Sequence, residues 1–164
     1  MTTKIDSGKP TPEAQLQSFN DRFDPKHQKF IRSIRTALRK RFPTANELAY
    51  DYSSHVVISY SPTENAIDAF LAIAARDDGV RLYLMQGPKK LPDPKGLLMG
   101  SGGQARYVCL ETASKLRHPD VEALIAAAMS LAKVPLPSKG NGKVIVRGRA
   151  AKQPPRRKPA KRPQ

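Results

Sequence analysis

Lys and Arg are the most numerous of the residues in this sequence that could bind a ligand. The chain has 29 Lys and Arg against 14 Asp and Glu, a formal net charge of +15, and ten of the basic residues follow Pro137 with no acid among them. Such an excess neutralises phosphates, so nucleic acid or another polyanion is the expected partner. The predicted polyanion-binding residues of this C-terminal segment are Arg147, Arg149, Arg156, Arg157, Lys158, Lys161 and Arg162.

A second group of cations lies on a predicted helix over residues 25–41. Asp24-Pro25 is typical of a helix start, and Pro43 is typical of a helix stop. The polar face of this helix is cationic and has no acid anywhere along it. Two interpretations stay open: a solvated face that meets carboxylates from other segments, or a docking face for a polyanion. The candidates for the docking face are Arg32, Arg35 and Arg39.

A long segment rich in proline and glycine follows Gln86. Its glycines precede a strand rather than a helix, so no helix dipole would assist an anion there. One interpretation is a weak ligand-binding loop; the other is a wide crossover with Leu91, Leu97, Leu98 and Met99 packed inward. The candidate ligand residues are Lys89, Lys90, Asp93, Gly100, Gly102 and Arg106.

The sequence gives only weak indications of a metal site or of a nucleophilic residue. Cys109 is the one cysteine, and the three histidines are not at zinc-ligand spacings. Carboxylates near the predicted strands offer a small acidic rim of hard oxygen ligands, which is the alternative site for iron. Its residues are Glu47, Asp51, Asp77 and Asp78. No cofactor is expected.

The pattern of apolar runs predicts an α+β two-layer sandwich. An antiparallel sheet of about five strands is covered on one face by N- and C-terminal helices. Asp78-Gly79 between two apolar runs predicts a hairpin, and Val144–Val146 is a possible additional edge strand. We expect a disordered N-terminus over residues 1–11, one domain over 12–137 and a disordered basic tail over 138–164. No run is long enough to span a bilayer and no signal peptide is recognisable, so a cytoplasmic protein without membrane contact is expected.

Several motifs resemble the YdhG-like domain, a bacterial family of unknown function. They are Glu47–Asp51, Ser61–Glu64, Leu82–Leu84, Leu91–Pro94, Gly96–Gly102 and Arg106–Val108. The resemblance runs from about Phe30 to Ala132 and implies two helices on one face of an antiparallel sheet, a shape compared with frataxin. It implies no catalytic residues. The resulting hypothesis is a small non-enzymatic binding domain whose basic tail associates with nucleic acid, and the alternative is a frataxin-like iron chaperone.

Overall fold

Six strands and three α-helices form the described part of the chain. The computed structural model describes residues 10–85, 91, 93, 96–100 and 106–148. The helices are α1 (Pro12–Phe19), α2 (Pro25–Arg41) and α3 (Pro119–Leu131). The strands are β1 (Asn46–Asp51), β2 (Val56–Ser61), β3 (Leu71–Arg76), β4 (Gly79–Leu84), β5 (Arg106–Leu110) and β6 (Val144–Gly148). The predicted α+β class is confirmed. Within the described ranges, no helix has the length and apolar character needed to cross a bilayer.

All three helices begin with a capping residue followed by proline. The Thr11 hydroxyl accepts the Ala14 N–H at 3.1 Å, and the Asp24 carboxylate accepts the His27 N–H at 2.9 Å. At α3 the His118 ring nitrogen accepts the Asp120 N–H at 3.2 Å. Each cap accepts a hydrogen bond from a backbone N–H that has no partner inside the helix. Proline, which follows the cap, has no backbone N–H that would need a partner. These local signals explain why α2 has the predicted bounds.

The sheet is a mixed one with the strand order β5-β4-β3-β2-β1-β6. Its first five strands pair antiparallel with their neighbours, as predicted. In the β3–β4 hairpin the loop residues are Asp77 and Asp78, because Arg76 pairs with Gly79. The apolar run before Asp78-Gly79 begins at Ile67, but β3 starts only at Leu71, since a 3-10 turn over Ala66–Asp68 comes first. The Asn65 side chain caps that turn by accepting the Ile67 N–H.

The sixth strand is the edge strand that was predicted as possible at Val144–Val146, and it lies within the segment from residue 138 that was predicted to be a disordered tail. β6 pairs parallel with β1, with Val144 opposite Glu47 and Val146 opposite Ala49. The Glu47 N–H donates to the Lys143 carbonyl at 2.8 Å. Both valines are partly buried against the core. The free edge of β1 provides hydrogen-bond partners for the backbone of Val144–Val146, which the surrounding Lys- and Gly-rich segment cannot provide. The ordered domain therefore extends beyond Pro137.

One face of the sheet packs with all three helices in a single apolar core. Strand residues alternate between faces, and the core face carries the large buried side chains. The sheet contributes Ile58, Tyr60, Ile73, Leu82 and Val108 to this core. The helices contribute Leu16, Ile31, Ile34, Leu38, Leu124 and Ile125. The helical layer therefore lies on one side of the sheet, and Tyr83, Tyr107 and Arg81 belong to the opposite face by strand alternation.

Gly142→Ala should detach β6 from the sheet. A Cβ at this position would lie 1.7 Å from the Ala45 carbonyl oxygen, too close for any side chain. The glycine amide also donates to the Pro43 carbonyl at 2.9 Å, so the backbone has little room to move away. We expect a loss of about 2 kcal/mol or more in the free energy of unfolding, measured by chemical denaturation.

The matched control is Ser138→Ala, an exposed position in the same segment, which should leave stability nearly unchanged. Hydrogen exchange provides a local readout, because β6 amides should lose protection in the Gly142 variant before the rest of the sheet does. Equal stability and equal β6 protection in the Gly142 variant would contradict the assigned docking of β6.

Candidate functional site

The cations of α2 divide between two sides of the helix. Arg35 and Arg39, four residues apart, face α1 and β1, where they contact Glu13 and Glu47. A second set faces α3 and the 3-10 turn over Ala113–Arg117. This second set consists of Lys29, Arg32, Lys40 and Arg41. The sequence showed one cationic face, because the carboxylates that separate the two sides come from other segments.

Arg35 is buried, with 7% of its surface exposed, and it binds two carboxylates at once. Its Nε and Nη2 donate to the two Glu47 oxygens, each at 2.9 Å. Its Nη1 and Nη2 donate to the two Glu13 oxygens at 2.7 and 2.6 Å. The Tyr60 hydroxyl donates to Glu47 at 2.8 Å. A guanidinium whose N–H groups are used in this way is unavailable to a polyanion, so the prediction that Arg35 lies on an exposed docking face is wrong.

Arg39 lies at the margin of the same cluster. Its Nη1 is 3.4 Å from Glu13 and its Nε is 3.5 Å from Glu47, while 47% of its side chain stays exposed. It is close enough to both carboxylates to share their charge. A polyanion would therefore have to compete with Glu13 and Glu47 for Arg39, whereas Arg32 has no carboxylate partner among the described residues.

Protonation in this cluster follows from its hydrogen bonds. The hydrogen bond from Arg35 is the main cause that lowers the pKa of Glu13 to about 2, against an opposing effect of burial. For Arg35, burial by itself lowers the pKa, but hydrogen bonds to Glu13 and Glu47 outweigh it and raise the pKa. Burial, followed by the charge of Glu47, raises the pKa of Tyr60 well above its usual value. The cluster is thus a fixed ion network at neutral pH.

The predicted acidic rim for iron does not form as one surface. Glu47 is 2% exposed and has guanidinium partners, which removes it from any surface site. Asp51 forms an ion pair with Arg22. Asp77 and Asp78 are exposed in the β3–β4 loop. Among the residues that the structure describes, no three His, Cys, Asp or Glu side chains come together as metal ligands.

The other side of α2 borders a groove of ≈ 870 Å³ against α3 and the 3-10 turn before it. Its floor is apolar and includes Ala37, Leu38, Leu116 and Ile125. Its rim carries cations from both walls, together with the hydroxyls of Ser33 and Thr36. The rim cations are Lys29, Arg32, Lys40, Arg41 and Arg117.

The groove keeps most of its positive charge. Glu122 is its one acidic lining residue, and Glu122 pairs with Arg41 at 2.8 Å. Lys29, Arg32, Lys40 and Arg117 are exposed and have no carboxylate partner among the described residues. Four unpaired cations over an apolar floor favour an anionic ligand that also has apolar surface. Arg117 was not predicted from the sequence, because its contribution to this site depends on how α3 packs beside α2.

The predicted ligand loop is described only in part. Asp93 uses its carboxylate on the loop itself, accepting the Leu97 and Leu98 N–H groups at 2.7 and 2.9 Å. Gly100 has a φ of +93° and lies against the Tyr107 ring. Arg106 is half-buried in β5, and its Nε has no hydrogen-bond partner among the described residues. Lys89, Lys90 and Gly102 lie outside the described residues. Leu91, Leu97 and Leu98 pack against the core, as the crossover interpretation predicted, but Met99 is 48% exposed and was wrongly predicted to pack inward.

The predicted basic tail is represented by Arg147, which is exposed on the edge strand β6. Arg149, Arg156, Arg157, Lys158, Lys161 and Arg162 lie outside the described residues. The polyanion-binding role of the C-terminal segment therefore stays a prediction.

Glu13→Gln should destabilise the domain at neutral pH and lose most of this effect in acid. The folded pKa of about 2 lies below the ordinary 4.5, so the charged form of Glu13 stabilises the fold above pH 4.5. That contribution is lost as the pH falls from 4.5 toward 2. Because the side chain is 42% exposed, solvent screening limits the effect to about 1 kcal/mol.

Denaturation at neutral pH and in acid measures the difference between wild type and Glu13→Gln. Glu111→Gln is the matched control, since Glu111 pairs with Lys115 at 2.8 Å but is 70% exposed and should cost only a few tenths of a kcal/mol. A difference for Glu13→Gln that stays constant with pH would contradict the assigned ion pair.

Comparisons with protein-family models, with curated proteins and with solved structures each returned no match. The groove between α2 and α3 is the strongest candidate site among the described residues.

Proposed function

We propose that this chain is a non-enzymatic, YdhG-like binding domain of the cytoplasm that associates with nucleic acid. One observation carries the proposal: four exposed cations without carboxylate partners among the described residues surround the groove between α2 and α3. The excess of positive charge over the whole sequence agrees with it. Sequence-independent contact with phosphates is the expected mode of binding, because phosphates supply most of the affinity in such complexes.

The dimensions of the groove suit a nucleic acid strand. Lys29 and Lys40 are eleven residues apart on α2, which corresponds to about 16 Å along the helix. Measured along the axis of B-form DNA, each strand has one phosphate for about every 3.4 Å, so about five phosphates of one strand correspond to that length of axis. Arg32 and Arg117 contribute planar guanidinium groups, whose paired N–H donors match the geometry of phosphate oxygens. The cations are therefore spaced to contact several consecutive phosphates.

The C-terminal basic segment is the second proposed contact. Arg147 starts it from the β6 edge, and proline and glycine separate the charges that follow. Such a segment neutralises phosphates without reading sequence. The groove and the segment are expected to act together, because joining two weak contacts in one chain raises the overall affinity.

Among the residues that the structure describes, no observation supports the iron-binding alternative. A site for hard cations needs clustered oxygen ligands that are available to the metal. Glu47 and Asp51, the two carboxylates proposed from β1, already have guanidinium partners. We therefore keep nucleic acid as the single proposed partner.

Arg32→Gln combined with Arg117→Gln should weaken binding to a DNA duplex of about 20 base pairs. Each lost phosphate contact reduces the dependence of log K on log salt by about 0.9, so the slope should become shallower by about 1.8. Fluorescence anisotropy between about 50 and 200 mM salt measures both the affinity and the slope.

The matched control is Lys26→Gln combined with Lys133→Gln, which removes the same charge from exposed positions outside the groove. The control should retain most of the wild-type slope. If the two double variants have the same affinity and slope, the groove has no role beyond net charge and the proposal fails.

A further inference from the structure

Two tyrosines and an arginine meet on the sheet face opposite the helices. The register of β4 and β5 places Tyr83 opposite Tyr107 and Arg81 opposite Cys109. Their strand neighbours Leu82 and Val108 point into the helix-covered core, so the tyrosines and Arg81 point to the other side. Met99 pairs with Tyr107 from the outer edge of β5 and is 48% exposed. We call this group, Arg81, Tyr83, Met99 and Tyr107, the aromatic patch.

The geometry of the patch leaves both tyrosines partly exposed, with Arg81 and Gly100 against the Tyr107 ring. The Tyr83 and Tyr107 rings are 5.2 Å apart between centroids and tilted by 47°, so neither ring covers the face of the other. The Arg81 guanidinium lies 4.6 Å from the centroid of Tyr107. Both tyrosines are half-buried, which holds the rings in place while part of each stays exposed. Rigid aromatic surfaces of this kind lose little entropy when a flat ligand stacks on them.

The charge of the patch favours an anionic flat ligand. Arg81 has no carboxylate partner among the described residues, and its contacts are the Tyr107 ring and the Tyr83 hydroxyl. Asp77, Asp78 and Glu111 line a hollow on one side of Arg81. Phosphates would be repelled from that side, so a bound strand is expected to leave the patch toward Met99.

We propose that the aromatic patch binds unpaired bases of single-stranded nucleic acid. Bases stack on tyrosine rings and on arginine guanidinium planes, and cations beside the rings hold the backbone. In a duplex the bases stack on one another, so their faces are not available to stack on the patch. The patch lies on the face of the sheet opposite the groove between α2 and α3, so its role does not depend on that groove.

The test compares the binding of a single-stranded oligothymidylate of about 12 nucleotides with that of a DNA duplex. Tyr83→Leu combined with Tyr107→Leu should weaken single-strand binding about 5- to 150-fold, the range for losing a stacked base, and leave duplex binding unchanged. Tyrosine emission gives a direct readout, because the chain has no tryptophan. The wild type should be quenched by the single strand, and the double variant should be quenched much less.

Two controls accompany the double variant. Tyr50→Leu removes another half-buried tyrosine, from β1 near the opposite edge of the sheet, and should keep wild-type affinity. Tyr107→Phe keeps the ring and should also bind normally. On the wild-type chain, photo-crosslinking with 5-iodouracil in the oligonucleotide should label Tyr83 or Tyr107, which tests the patch even if a leucine variant folds poorly.

The outcomes separate this inference from the proposed function. Unchanged single-strand affinity in the double variant, or crosslinks confined to other residues, would overturn the aromatic patch even if the groove binds duplex. Loss of single-strand binding in the patch variants, together with no effect of the groove variants on duplex, would support the patch and refute the groove. Absence of any single-strand binding by the wild type would also overturn the inference.

Discussion

Arg35 lies between two carboxylates from different segments, and this arrangement determines how the helical layer meets the sheet. Glu13 belongs to α1 and Glu47 to β1, so one guanidinium on α2 joins three elements. Arg35 and Glu47 are the buried pair, and removing one partner of a buried pair typically costs about 3–5 kcal/mol, because the charge that remains is left without a partner and without water. The network thus fixes which side of α2 faces inward and, as a consequence, which cations remain at the surface.

This constraint explains how a helix without any acidic residue is tolerated. Like charges along α2 repel one another by a few tenths of a kcal/mol for each pair. Glu13 and Glu47 compensate one side of the helix, and Glu122 compensates Arg41. Lys29, Arg32, Lys40 and Arg117 receive no such compensation among the described residues. Their repulsion persists in the free protein, and a bound polyanion would relieve it, which connects the internal ion network to the proposed function.

Local signals in the sequence predicted most of the elements. α2 has the predicted bounds because Asp24, Pro25 and Pro43 act within one turn of its ends. The hairpin between β3 and β4 was predicted for a similar local reason, the turn residues after Arg76. β6 was the harder case, since its stability depends on the free edge of β1, about a hundred residues earlier. The apolar triplet Val144–Val146 indicated a possible edge strand, but nothing in its sequence indicates that β1 would be its partner.

The candidate sites depend on contacts between distant segments, and the sequence predicted them only partly. Arg32 was predicted to contact a polyanion and lies on the groove, whereas Arg35 was grouped with it although Glu13 and Glu47 bury it. Helical spacing alone does not separate these two arginines, because the carboxylates arrive from α1 and β1. The aromatic patch was missed for a related reason. Tyr83 and Tyr107 are adjacent only through the β4–β5 register, which a long intervening segment conceals.

The central claim is that α2 uses its cations in two different ways, some inside the ion network and others on a binding surface. Arginine Nε–Hε resonances in NMR spectra test this claim for each side chain during titration with a DNA duplex. We predict salt-dependent shifts for Arg32 and Arg117, and a slowly exchanging Arg35 resonance that does not move. Shifts at Arg35 equal to those at Arg32, or unmoved Arg32 and Arg117 resonances while DNA binds, would contradict the account.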